Sequence, residues 1–405
     1  MKSFSREKRI KLNKDELIIA ITTLLLIAYF AILPLRSSSA RHVVVFVGSI
    51  FYYILALRRI MTVKKSFVFF VQFMLLVCVI LFDILITVKQ YNYEVFYSAL
   101  NLLSLFILLS SKNTVRFTKR AFNWLFWGTL VLSGMAVLLS YSSVAYFFED
   151  GRKNGFLVLG MTNPNVTGLM LSGLVNILLI FYAGKGKTIK FVLLIVIALL
   201  MNLLVRTGCR SAIICSVLVI CYALFFKEKR FPWWFVLVPI IISILFVPTY
   251  LSFSSARTQM ITVLGKPLFS GRDFVYRENL ALLTNNFYWL FGNYGMAKLS
   301  NAHNAPLCIL CSFGLVGTSV VYWNYGKRLI QINVNASSYY SRMCIACLMS
   351  LFIQSSMEAV MLTGVFPSIA IIYFFTLFAD QNEKGIIEII GKEQSYETEN
   401  EHSGA

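Results

Sequence analysis

The sequence predicts an all-α protein, a polytopic membrane bundle of about twelve transmembrane helices. Three observations carry that expectation. The 405-residue chain is 58% hydrophobic and only 14% charged. Apolar runs of about 17–25 residues recur along it, each long enough to cross roughly 30 Å of hydrocarbon as a helix. The 37 Lys and Arg divide about two to one between alternate loops, the asymmetry that marks cytoplasmic loops.

The elements follow in chain order. The basic start, MKSFSREKRIKLNKDE, precedes LIIAITTLLLIAYFAILPL. That apolar run exceeds the roughly 7–15 residues of a signal-peptide core, so it reads as an uncleaved first span. The predicted spans are 17–35, 43–57, 67–87, 95–110, 122–141, 166–183, 190–206, 210–226, 233–250, 303–323, 341–357 and 362–379. Twelve spans put both termini on one side. The charge-rich loops make that side the cytoplasm. Residues 1–380 form one membrane domain, and 381–405 form a polar, acidic tail without fixed structure. The outside segment 251–302, between spans nine and ten, is about fifty residues long. Such lengths usually serve function, and it should hold short helices. Segment 142–165 is the second-longest outside loop.

The net charge is +19. Loop lysines and arginines account for it, and no phosphate loop, RNA-binding or zinc-finger pattern points to nucleic acid. Cys308 and Cys311, and likewise Cys344 and Cys347, have a metal-like spacing. They lie inside apolar helices, where that spacing simply puts two small residues on one face, so no metal site is expected. Asp83 lies within the third span. An intramembrane acid is either a functional group or a hydrogen-bonded structural one.

The polar outside motifs are more specific. RTGCRSA places Arg206 and Arg210 around the start of the eighth helix. SGRDFVYREN places Arg272 and Arg277 in the long loop, where Ser270 and Asp273 form a capping box that should start a helix. Helix starts offer exposed N–H groups and partial positive charge, and arginines add bidentate donors, so both features suit phosphate. The alternative is an interfacial cationic helix beside lipid headgroups. TNPNVTG opens the sixth helix with Asn163 and Asn165. NAHNAP opens the tenth, with Asn304 as cap and Pro306 in the first turn. An anion site at the outer membrane surface follows, for a phosphate on a membrane-embedded ligand. His303 beside it is either a general base or a capping histidine. Glu358, near the outer end of the eleventh span, is a second acid or a counter-ion to one of the arginines.

These residues together resemble the O-antigen ligase and O-antigen polymerase superfamily. His303-Asn304 followed by GLVGTS resembles the family's His-Asn and Gly-x-x-Gly-Thr motif. TGCRSA resembles its outer-face arginine motif, with Cys209 where serine is frequent. SGRDFVYREN and TNPNVTG are similar to its loop arginine motif and its Asn-Pro-Asn element. The likeness lies in the C-terminal half, and residues 1–150 add only hydropathy. The resemblance implies a metal-independent, cofactor-free membrane glycosyltransferase whose donor is a glycan on undecaprenyl pyrophosphate. It would make Arg210 and Arg272 pyrophosphate ligands and His303 the base for the acceptor hydroxyl. Arg206, Arg277, Asn163, Asn165, Asn304 and Glu358 would complete the substrate site. It also implies flippase and chain-length-regulator proteins as partners. A polymerase, transferring the glycan to a lipid-linked repeat unit, is the first expectation. A ligase acting on another acceptor is the second, and a lipid-linked glycan flippase the third.

Overall fold

A computed structural model describes residues 66–87, 93–110, 119–141, 144–149, 152–161, 163–226, 231–255, 258, 260–267, 269, 271–284, 287–293, 303–336 and 338–358, with scattered positions in 17–57. The predicted first and second spans lie largely outside these residues. The twelfth span and the tail lie wholly outside them.

The described chain is helical. Helices α1 (Phe67–Thr87), α2 (Tyr93–Ser110) and α3 (Lys119–Leu139) precede the second long loop. Then come α4 (Pro164–Ala183), α5 (Lys187–Arg206) and α6 (Arg210–Phe225). A single 3-10 turn, Phe235–Leu237, leads into α7 (Val238–Phe253). The long loop carries α8 (Arg272–Leu283) and the one-turn α9 (Tyr288–Phe291). Helices α10 (Ala305–Asn335) and α11 (Tyr339–Ser355) close the described part.

Among the described residues six segments are long and apolar enough to cross a membrane: Phe67–Leu85, Phe122–Leu139, Pro164–Ala183, Lys187–Arg206, Phe235–Phe253 and Ala305–Val334. The protein is therefore a helical membrane protein. Helix α4 is buried almost all round, whereas α5 presents Phe191, Ile195 and Leu199 outward. An inner helix and a peripheral one differ in this way. Small polar groups join the inner helices. Ser216 of α6 donates to Ser172 of α4 at 2.9 Å, and Ser350 of α11 donates to the Cys215 carbonyl of α6 at 3.3 Å. The paired cysteines are part of this packing. Cys308, Cys311, Cys344 and Cys347 are all buried thiols, and the Cys347 thiol donates to the Asn176 carbonyl at 3.4 Å.

Two expectations need correction, the all-α loops and the reach of the tenth span. The loops are not purely helical. Val144–Glu149 (β1) pairs antiparallel with Arg152–Leu157 (β2), and Thr262–Val263 (β3) with Lys266–Pro267 (β4). A hairpin satisfies loop backbone groups as well as a helix does. A helix starts where the capping box predicted one: α8 begins at Arg272, with Asp273 in its first turn and Gly271 before it in the left-handed conformation (φ 67°). The Arg272 N–H donates to the Phe269 carbonyl at 3.1 Å; Ser270, the other half of the box, lies outside the described residues. Last, α10 outruns its predicted span 303–323 to reach Asn335, because the helix continues into polar residues that a hydropathy window ends on.

Helix α10 is also interrupted at Gly314 (φ 62°, ψ −169°). There α9 docks backbone to backbone. The Asn293 N–H donates to the Cys311 carbonyl at 2.7 Å. A Cβ on Gly314 would stand 2.2 Å from the Leu290 carbonyl oxygen, and one on Gly292 the same distance from that of Ser312. The first glycine of GLVGTS thus breaks the helix to admit the loop that precedes His303.

Candidate anion site

One end of the bundle gathers the starts of α4, α6 and α10, the loop helix α8, and the end of α11. Each is prepared locally. Asn163 caps α4, accepting from Asn165 N–H at 2.8 Å. Thr207 ends α5 by donating to the Leu204 carbonyl at 2.7 Å, and its hydroxyl oxygen accepts from Cys209 N–H at 3.1 Å. This reversal lets α6 begin at Arg210. Asn304 caps α10, accepting from Leu307 N–H at 2.7 Å and donating through its amide to the Ser356 carbonyl. That second bond ties the start of α10 to the end of α11.

Helix α8 carries Arg272 inward because of its spacing. Arg272, Tyr276 and Asn279 recur at helical intervals on one face. Tyr276 and Asn279 are buried. Tyr276 packs with Val247 of α7 and with Leu307 and Cys311 of α10, and its ring meets Tyr250 edge-on at 5.0 Å.

The convergence point is Glu358, which is 5% exposed. Its Oε1 accepts from Arg272 Nη2 at 2.7 Å and from Asn165 Nδ2 at 3.3 Å. Its Oε2 lies 3.1 Å from His303 Nδ1. Arg272 Nη1 also donates to the Met357 carbonyl at 2.6 Å. Beyond Asn165 stands Lys266, whose ammonium donates to Asn165 Oδ1 at 3.1 Å and to the Thr207 carbonyl at 3.3 Å, over the Phe156 ring at 4.5 Å. Arg210 Nη2 donates to the Pro267 carbonyl at 2.9 Å, pinning the β3–β4 hairpin to the start of α6. That hairpin turns through Leu264 (φ 53°) and Gly265 (φ 74°), the paired positive φ of a type I′ turn.

Arg210, Lys266, Arg272 and Glu358 line one cavity of about 460 Å³, together with Asn165 and Cys209. Among the described residues three cations and one carboxylate line it, and the first turn of α6 opens onto the same space. Such a cluster of cationic side chains, with helix N–H groups beside it, suits a polyanion.

Burial opposes the charge on Glu358. The His303 hydrogen bond and the Arg272 guanidinium outweigh it and hold the carboxyl below the usual carboxylate range. Burial likewise works against Arg272, yet the Glu358 carboxylate reverses it and raises the guanidinium pKa. A carboxyl with a depressed folded pKa contributes stability that is fully present above the unfolded value of about 4.3 and is lost as pH falls through the folded value. Thermal unfolding in detergent should therefore be nearly flat above about pH 5 and weaken below about pH 4. Glu358→Gln should lose much of that acid limb. Identical pH profiles for the two proteins would refute this assignment.

Not every expected residue reaches the cavity. Arg277 is exposed. It follows Arg272 by five residues, which is about 140° around a helix, so it points away from the buried face. Arg206 ends α5 and is exposed, with Nη2 donating to the Ser140 carbonyl at 3.4 Å. Asn163 and Asn304 serve as caps. Arg210, Arg272, Asn165 and Glu358 line the cavity, and His303 joins it through Glu358. Asp83 is buried in α1. Lys266 escaped the sequence reading. The available signal was a Gly-Lys-Pro turn six residues before Arg272. No family model, curated protein or solved structure matches this chain.

Proposed function

We propose that the protein is a polysaccharide polymerase at the outer face of the cytoplasmic membrane, moving a glycan from undecaprenyl pyrophosphate to a lipid-linked repeat unit. The observation that carries this reading is the pairing of a three-cation cavity with a carboxylate-bound histidine. Arg210, Lys266 and Arg272 would hold the pyrophosphate and stabilise it as it leaves, which is the main electrostatic demand of the reaction. Glu358 is ionised and can only accept, so the proton between it and His303 belongs on Nδ1. In the tautomer protonated on Nδ1 the lone pair is on Nε2. In the proposed step the acceptor hydroxyl attacks the anomeric carbon, the bond to pyrophosphate breaks, and Nε2 takes the hydroxyl proton. The imidazolium so formed sits against Glu358, which stabilises it.

The test uses purified protein in vesicles supplied with lipid-linked repeat units, with polymer length read on gels. His303→Ala should lower transfer by about 10²–10⁴-fold while donor binding persists. Loss of donor binding instead would make His303 a pyrophosphate contact. Undiminished transfer would remove it from the chemistry. Formation of polymer on the lipid carrier by the wild type supports a polymerase. Transfer to a different acceptor alone supports a ligase.

A further inference from the structure

We propose that Asn165 is a positioning residue: its side-chain amide holds the Glu358 carboxylate so that Oε2 stays turned to His303. The catalytic consequence rests on the reading above, while the hold itself stands on separate geometry. The family resemblance would make Asn165 a substrate contact. Its bonds point elsewhere.

Asn165 stands in the first turn of α4, directly after Pro164. Asn163 already caps that helix, accepting from the Asn165 N–H at 2.8 Å. The Asn165 side chain is therefore free of capping duty, and both its polar atoms reach tertiary partners. Oδ1 accepts from the Lys266 ammonium at 3.1 Å, and Nδ2 donates to Glu358 Oε1 at 3.3 Å. An ammonium can only donate, and an ionised carboxylate can only accept. The two neighbours thus fix which way round the amide lies, a choice that an amide without such neighbours leaves open. The β3–β4 hairpin, through Lys266, sets the amide, and the amide addresses the carboxylate.

The effect lies in how Glu358 divides its oxygens. Oε1 takes two donors from two helices, Arg272 Nη2 of α8 and Asn165 Nδ2 of α4. Oε2 lies against His303 Nδ1. A guanidinium fork readily takes both oxygens of a carboxylate. Arg272 does not, because its Nη1 donates to the Met357 carbonyl at 2.6 Å. One donor on Oε1 would still let the carboxylate swing about that oxygen. A second donor on the same oxygen, from another direction, keeps Oε2 toward the imidazole. Tyr276 of α8 and Cys209 at the start of α6 also lie within range of the Glu358 charge. Burial raises the pKa of each, so both stay neutral.

Asn165→Asp is nearly isosteric and separates a positioning role from a structural one. Aspartate is favoured in the first turn of a helix. If Asn165 served only to start α4, the thermal midpoint in detergent would match or exceed that of the wild type at every pH, which would overturn the proposal. As a hold on Glu358, the change sets a carboxylate oxygen where Nδ2 stood. Two facing carboxylates then keep a proton that Glu358 alone has lost. A raised folded pKa gives stability that is lost as pH rises through it. The midpoint of Asn165→Asp should therefore fall as pH rises above about 5, where the wild type should be nearly flat.

The vesicle assay gives the second readout. Asn165→Asp and Asn165→Ser should each lower kcat about ten- to hundredfold, the effect of one lost hydrogen bond to a charged group. KM for the lipid-linked donor should stay near the wild-type value. A raised KM with unchanged kcat would make Asn165 a substrate contact and overturn the proposal. If Asn165→Asp does not fold, the same split of kcat from KM in Asn165→Ser decides. The altered pH slope in a chain whose wild type transfers no glycan would refute the proposed function and leave the hold on Glu358. Wild-type transfer undiminished in both variants would refute the positioning role and leave the function.

Discussion

Glu358→Ala should lower the thermal midpoint sharply and, on the proposed function, abolish glycan transfer together. The stability loss comes from Arg272. Its guanidinium is mostly buried, with 18% of the side chain exposed, and it faces a carboxylate 2.7 Å away that is itself 7% exposed. Removing one partner of such a pair leaves a buried charge, at a typical cost of about 3–5 kcal/mol. Partial exposure of Arg272 puts the expectation near the lower bound, about 3 kcal/mol. Asn165 and His303 lose their acceptor in the same step. Glu358→Gln should be milder in stability, because an amide oxygen still accepts, yet it removes the charge that stabilises an imidazolium. A double-mutant cycle with Arg272→Met isolates the pair, with midpoints read by tryptophan fluorescence in detergent. Single and double variants that simply add would show that Glu358 and Arg272 act independently.

Gly314→Ala should be nearly as severe, from a position outside the cavity lining. The backbone there takes φ 62° and ψ −169°, a region essentially restricted to glycine. Strain alone costs about 1–3 kcal/mol in such a conformation. A Cβ would also meet the Leu290 carbonyl at 2.2 Å, which is backbone and has no rotamer to escape into. The expected total is roughly 2–4 kcal/mol, with α9 displaced from its notch. Limited proteolysis should cut 284–302 faster than in the wild type. Gly134→Ala, at a helical glycine with open space around it, is the natural comparison. Normal stability and proteolysis in Gly314→Ala would mean that the break in α10 does not hold the loop.

Parts of this site were legible in the chain because their causes are local. Asn163 and Asn304 announce helix starts by capping chemistry that acts within three residues. Arg210 opens α6 where the TGCRS reversal ends α5. Glu358 read as either a second acid or a counter-ion to one of the arginines, and it pairs with Arg272. The box of Ser270 and Asp273 announced a helix start, and α8 begins there at Arg272. Arg206 and Arg277 were grouped with their neighbours by sequence distance, and helix geometry then separated them. Lys266 carried no recognisable motif, and its role depends on a hairpin folding onto α6.

The sequence by itself determined a helical membrane protein, the starts of its inner helices and the residue types of an anion site. Those follow from hydropathy, capping and charge, which act over a few neighbouring residues. The tertiary structure alone decided that Glu358, 55 residues after His303 and 193 after Asn165, is where they meet. It also decided that the Asn165 amide lies between Lys266 and Glu358. Both are matters of which helices pack together, and side chains far apart in the chain settle that by burial and charge pairing once the bundle has closed.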